Sequence, residues 1–159
     1  MANHAMFRSD NMAGTTQGKY LVSDRVPEAI DNGCVVAYGA YEDGAREVRT
    51  CEAPAADTAL GKIAILGSEE VNKTVKFDTV GGFPNEKGVP ARGYIPEHAD
   101  AFSVTAEAVD GTIKVGSFLE LQAGSYKMAA VDVATGATVV GVCEAVEQDG
   151  ATTWYVIRV

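Results

Sequence analysis

TVVGVCEAVEQDGATTWYVIRV, residues 138–159, decides the fold class. Thr138 to Val146 and Thr152 to Val159 are rich in β-branched and aromatic residues, which suit a pleated surface. Asp149-Gly150 lies between them, and Asp-Gly between two apolar runs is a strong hairpin signal. Alternation along the second run places one of Trp154 and Tyr155 inward and the other outward. The core position is assigned to Trp154. Gly141 marks a bend within the first run.

The same grammar extends upstream. Phe102 to Val109 reads as a strand closed by the turn Asp110-Gly111, and Ser117 to Leu121 and Tyr126 to Val131 read as two more. In the first half, Cys34 to Tyr38 and Arg46 to Cys51 flank Glu42-Asp43-Gly44-Ala45, a second hairpin. Lys19 to Val22 and Gly61 to Leu66 add strands, and Ala53 to Ala59 reads as a loop. Two stretches break the pattern. Residues 1–18 are polar with scattered apolar positions and read as a flexible N-terminal arm. Residues 79–100 contain Gly81, Gly82, Pro84, Gly88, Pro90, Gly93 and Pro96, a density of breakers that predicts a long connecting loop without regular structure.

The halves flanking that loop align on each other. At an offset of 83, Leu21 meets Val104, Val26 meets Val109, Ile30 meets Ile113 and Gly33 meets Gly116. Val35 then meets Phe118, Val36 meets Leu119 and Tyr38 meets Leu121. Gly61-Lys62-Ile63 meets Gly141-Val142-Cys143 at an offset of 80. The expected fold is all-β, a small barrel or sandwich of two similar units. Its parts are an arm (1–18), a first β unit (19–78), a Pro/Gly-rich connection (79–100) and a second β unit (101–159).

The chain has 159 residues, 47% of them hydrophobic, and a formal charge of −9. Such a balance suits a folded domain. It argues against nucleic-acid and anionic-membrane partners, which need a basic face. No run approaches the ~20 apolar residues of a membrane span, and the N-terminus lacks the apolar core of a signal peptide. Cys34, Cys51 and Cys143 have no metal spacing and read as free thiols, although Cys34 and Cys51 flank a hairpin that brings them within range of each other.

Catalytic signals are few. His4 falls in the arm and His98 in the Pro/Gly stretch, both solvated contexts. The sequence contains no nucleophile elbow, zinc helix, paired-cysteine motif or phosphate loop. Glu42-Asp43, Glu69-Glu70, Glu144 and Glu147 read as solvated carboxylates, and the Asp-Gly pairs as turns, because a calcium loop needs further spaced acids. No cofactor or metal is expected. Tyr38, Tyr41 and Tyr155 make the alternative of a β-rich carbohydrate-binding module with a stacking platform. An enzyme working through acidic residues is a third, weaker reading.

Ile113-Lys114-Val115-Gly116-Ser117-Phe118-Leu119-Glu120-Leu121, then Tyr126-Lys127-Met128-Ala129, then Gly141-Val142 and a closing strand, resemble the head decoration and head fibre-base proteins of tailed bacteriophages. Those proteins share this order and a polar N-terminal arm. The resemblance implies a non-enzymatic protein of the virion, made in the host cytoplasm. It would decorate the capsid exterior and stabilise contacts between major capsid subunits, as a dimer or trimer. It places the capsid contacts in the arm and the Pro/Gly stretch, with Phe7, Arg8, Met12, Phe83, Arg92 and Tyr94 as the candidate residues.

Overall fold

A computed structural model describes residues 4–69 and 82–159. Its elements are almost all strands. In chain order they are β1 (Phe7–Asn11), β2 (Leu21–Arg25), β3 (Ile30–Asp31), β4 (Val35–Tyr41), β5 (Val48–Glu52), β6 (Ile63–Leu66) and β7 (Pro84–Asn85). They continue as β8 (Pro90–Tyr94), β9 (Ala101–Val104), β10 (Val109–Asp110), β11 (Phe118–Glu120), β12 (Met128–Val131), β13 (Val139–Asp149) and β14 (Thr152–Arg158). The only helical pieces among the described residues are single 3-10 turns.

Five strands close a barrel in the order β2-β5-β4-β6-β8. Seven form a sheet in the order β1-β9-β14-β13-β11-β12-β10, and β3 pairs with β7. The decisive hairpin is present as β13–β14, with Asp149 opposite Thr152. Gly141 stays in the ladder opposite Leu119. The register shifts directly beside it, because Glu120 stands opposite Val139 and Val140 is passed over, and a second irregularity in β13 falls between Cys143 and Ala145.

Two hydrophobic clusters hold the fold. One fills the barrel with Val26, Ile30, Cys34, Val36, Ala64, Leu66 and Ala91. The other lies between barrel and sheet, joining Val35, Ile63, Ile65 and Tyr94 to Phe102, Leu119, Met128 and Ile157. Strand β6 serves both. Ile63 and Ile65 face the sheet while Ala64 and Leu66 face the barrel interior. That is why this strand is apolar throughout rather than alternating.

The internal repeat is present in the topology. In the first unit β2 pairs in parallel with β5, β5 antiparallel with β4, and β4 antiparallel with β6. In the second, β10, β12, β11 and β13 stand in the same relations. Gly33 and Gly116 both adopt left-handed φ, 82° and 90°, at the entry to β4 and β11. Any other residue is strained there, so the shared glycine has a backbone cause. The register corrects one alignment. Val36 stands opposite Ala64 as Leu119 stands opposite Gly141, so Ala64 corresponds to Gly141 and the offset there is 77, not 80. Ala37 opposite Glu52 and Glu120 opposite Ala129 give 77 for the hairpin partner as well.

The two stretches expected to lack regular structure are corrected where they are described. Residues 4–18 are not a flexible arm. Strand β1 pairs antiparallel with β9, and Ala5 and Met12 are buried in the inter-unit core. Polar side chains complete the docking: Asp100 accepts from the Ala13 amide at 2.9 Å and Thr105 accepts from the Met6 amide at 3.1 Å. In the Pro/Gly stretch, Thr79 to Gly81 lie outside the described residues. The remainder supplies β7 and β8, and β8 closes the barrel against β2 and β6. Pro90 is tolerated because it begins its strand. Phe102 to Val109 is likewise not one strand: a 3-10 turn at Ala106–Ala108 splits it into β9 and β10. The units thus exchange material across the expected boundaries, β1 belonging to the sheet and β8 to the barrel.

Candidate functional site

The barrel and its rim carry the most distinctive polar features. A groove of about 570 Å³ runs over Leu21, Val22 and Ser23 of β2. Ser68, Glu69, Pro90 and Arg92 form one wall, and Tyr41, Arg46 and Glu47 at the β4–β5 hairpin form the other. Arg92 is fixed by Glu69 at 2.5 Å, and its own amide donates to Ser68 Oγ at 2.9 Å. The bond to Glu69 raises the Arg92 pKa above its ordinary value, so the guanidinium is a permanent charge. Arg46 has no carboxylate partner among the described residues.

Below the groove, inside the barrel, lies Asp24. It is wholly buried, and neither carboxylate oxygen has a hydrogen-bond partner among the described residues. The other buried acids are satisfied. Glu120 accepts from the Thr135 amide and hydroxyl, and Asp100 accepts from the amides of Ala13 and Glu97. Burial pushes the Asp24 carboxyl up to about 7, against an opposing pull from the Arg49 guanidinium. The sequence reading missed Asp24. A signal existed: Val22, Asp24 and Val26 alternate on one face of a strand, which sends an acid inward with two valines.

Arg49 closes the mouth of the barrel on that side. Its guanidinium carbon lies 3.9 Å from the Tyr41 ring centre and 5.5 Å from that of Tyr38, and it donates to the Gly39 carbonyl at 2.9 Å. Tyr38 is further held by donating its hydroxyl to the Gly61 carbonyl at 2.6 Å. Tyr155 packs against the inter-unit core instead. The three tyrosines therefore do not share one stacking platform.

The six candidate contact residues separate. Met12 and Tyr94 are buried, at 2% and 8% exposure, and offer no surface to a partner. Phe7 stacks between Tyr94 and Phe102, with ring centres 5.3 and 6.1 Å away. Arg8 lies 4.4 Å over Trp154 and pairs with Glu147 at 2.8 Å. Phe83 is half-buried. Arg92 alone is exposed, and it lines the groove. Trp154 is buried but sits on the opposite face of β14 from Tyr155; it is Tyr155 that packs on the core.

Histidines and thiols form no cluster with them. His4 Nδ1 meets Asp31 Oδ1 at 2.8 Å, and His98 is exposed on a loop. The cysteines are unbonded. Burial pushes the thiols of Cys34 and Cys51 up to about 12, which keeps them protonated and poorly nucleophilic at neutral pH. Among the described residues no three His, Cys, Asp or Glu side chains converge as metal ligands, and no helix is long and apolar enough to cross a membrane. No protein-family model, curated protein or solved structure matches the chain.

Proposed function

We propose that the chain is a non-enzymatic structural protein of a tailed-phage virion, docked on the capsid exterior and tying neighbouring major capsid subunits together. One observation supports this reading above the others. The segments that resemble head decoration proteins fall on β11, β12 and β13, adjacent strands of one sheet, so the resemblance follows a folded unit rather than scattered turns. The charge of −9 is compatible with an outer surface facing away from packaged DNA. Self-association as a dimer or trimer belongs to the same proposal.

The groove beside Arg92 and Arg46 is the contact region in this reading, in place of the buried Met12 and Tyr94. Deleting residues 2–18 is a poor test, because it removes β1 from the sheet and part of the core. Charge reversal is cleaner. The protein is mixed with undecorated shells assembled from the major capsid protein of the phage it comes from in this reading, and sedimented. Wild type is expected to co-sediment, and an Arg46→Glu, Arg92→Glu double variant with unchanged thermal stability is expected to bind at least tenfold more weakly. A wild-type chain that stays in the supernatant overturns the capsid role. Equal binding by the variant overturns the groove.

A further inference from the structure

We propose that Asp24 and Arg49 form a proton-controlled latch at the mouth of the barrel, which sets the position of Tyr41 in the groove. With Asp24 uncharged, Arg49 rests on Tyr41 and the Gly39 carbonyl, as described above. When Asp24 loses its proton, Arg49 leaves both and turns inward to pair with the carboxylate, releasing the Tyr41 ring.

The geometry carries this. Asp24 and Arg49 are register partners on the parallel strands β2 and β5. In a parallel pair, register partners project to the same face. Cys51, two residues on from Arg49, packs on the barrel's interior cluster, so the shared face is the inner one. The guanidinium is near enough to act on the carboxylate electrostatically, yet it donates to Gly39 and not to Asp24. A buried ionised carboxylate without partners is strongly disfavoured, and among the described residues Arg49 is the one cation placed to offset that.

The other neighbours of Asp24 leave that role to Arg49. From β5, Cys51 also faces inward, as a protonated thiol. From β4, Tyr38 does so with its hydroxyl committed to Gly61. From β8 and β6 come Ala91, Gly93 and Ala64, which carry no charge; a Cβ on Gly93 would lie 2.9 Å from Asp24 Oδ2 and 2.8 Å from Ala64 Cβ. On the opposite face of β2, Arg25 is occupied by Glu42 at 2.6 Å and by the Gly88 carbonyl at 2.6 Å. The latch stands whether or not the protein binds capsids.

Nuclear magnetic resonance of the full chain between pH 5 and 9 tests it. The side-chain carboxyl carbon of Asp24, the Nε–H of Arg49 and the ring protons of Tyr41 are expected to titrate with one midpoint near neutrality. In Asp24→Asn the Arg49 and Tyr41 signals should stay at their low-pH positions. In Arg49→Gln the Asp24 midpoint should rise by at least one pH unit, a tenfold change in its proton affinity. The latch is overturned if Asp24 titrates below pH 5, if it titrates without Arg49 and Tyr41, or if Arg49→Gln leaves its midpoint in place. The Arg49→Gln arm keeps the test decisive should Asp24→Asn not fold.

Discussion

Asp24 gives the fold a stability that depends on pH with a definite sign. Its carboxyl sits near pH 7 in the folded chain against an ordinary 3.8. Between those values the folded chain keeps a proton that the unfolded chain has released. Stability is therefore greatest below about pH 4, falls as pH rises, and levels off above about 7. The full loss is on the order of 4 kcal/mol. Urea denaturation of wild type and Asp24→Asn at pH 4.5 and pH 8 isolates the effect, because general repulsion among the acids is common to both. The variant should lose most of the difference between the two pH values; equal slopes would place Asp24 in contact with water. Arg8 makes a second prediction at this scale. Its exposed ion pair with Glu147 contributes little, but its guanidinium covers Trp154. Arg8→Ala should red-shift the emission of the only tryptophan and cost about 1–2 kcal/mol, through lost packing and cation–π contact.

Strand β1 shows how an element can be hidden in its own sequence. Phe7 to Asn11 has one large apolar residue in five and no alternation, and it was expected to be part of an arm. What makes it a strand is tertiary: the free edge of β9, the Phe102 and Tyr94 rings beneath Phe7, and the Asp100 and Thr105 side chains that accept the Ala13 and Met6 amides. None of these is local, so periodicity within residues 1–18 could not reveal them. The β13–β14 and β4–β5 hairpins were legible because their signals, apolar runs around an Asp-Gly turn, are contained in one short window. Strand β8 was hidden by Pro90, Gly93 and the breakers on either side of it, yet Gly93 is required where the barrel interior crowds its backbone. Native trypsin digestion tests the β1 assignment. Cleavage after Arg8 should be at least tenfold slower than after the same bond in urea-unfolded chain. Removing residues 2–12 should lower the melting temperature by several degrees, since it uncovers Phe102 and removes the buried Met12. Rapid native cleavage after Arg8 would return the segment to a flexible arm.

The repeat was legible at the scale of the whole chain, but its boundaries were not, and the reason bears on cooperativity. The two units share one core, in which Val35, Ile63 and Ile65 of the barrel pack with Leu119, Met128 and Ile157 of the sheet. Backbone bonds stitch them as well: Val35 donates to the Tyr126 carbonyl at 2.7 Å, Gly124 to Pro54 at 3.0 Å, and Thr138 to Ala56 at 2.8 Å. Cutting the chain at residues 78 and 101 would leave the barrel without β8 and the sheet without β1. Two duplicated units that had stayed independent would unfold separately; units joined this way should unfold as one. Trp154 allows a direct measurement, because it lies in the sheet unit and is the only tryptophan. Leu66 is wholly buried in the barrel's interior cluster, away from the shared core. Leu66→Ala should cost about 2–5 kcal/mol. If unfolding is a single step, that whole cost appears in the urea midpoint read at Trp154, and far-ultraviolet circular dichroism gives the same midpoint. If the barrel unfolds by itself, the Trp154 midpoint stays at its wild-type value while the dichroism signal splits in two.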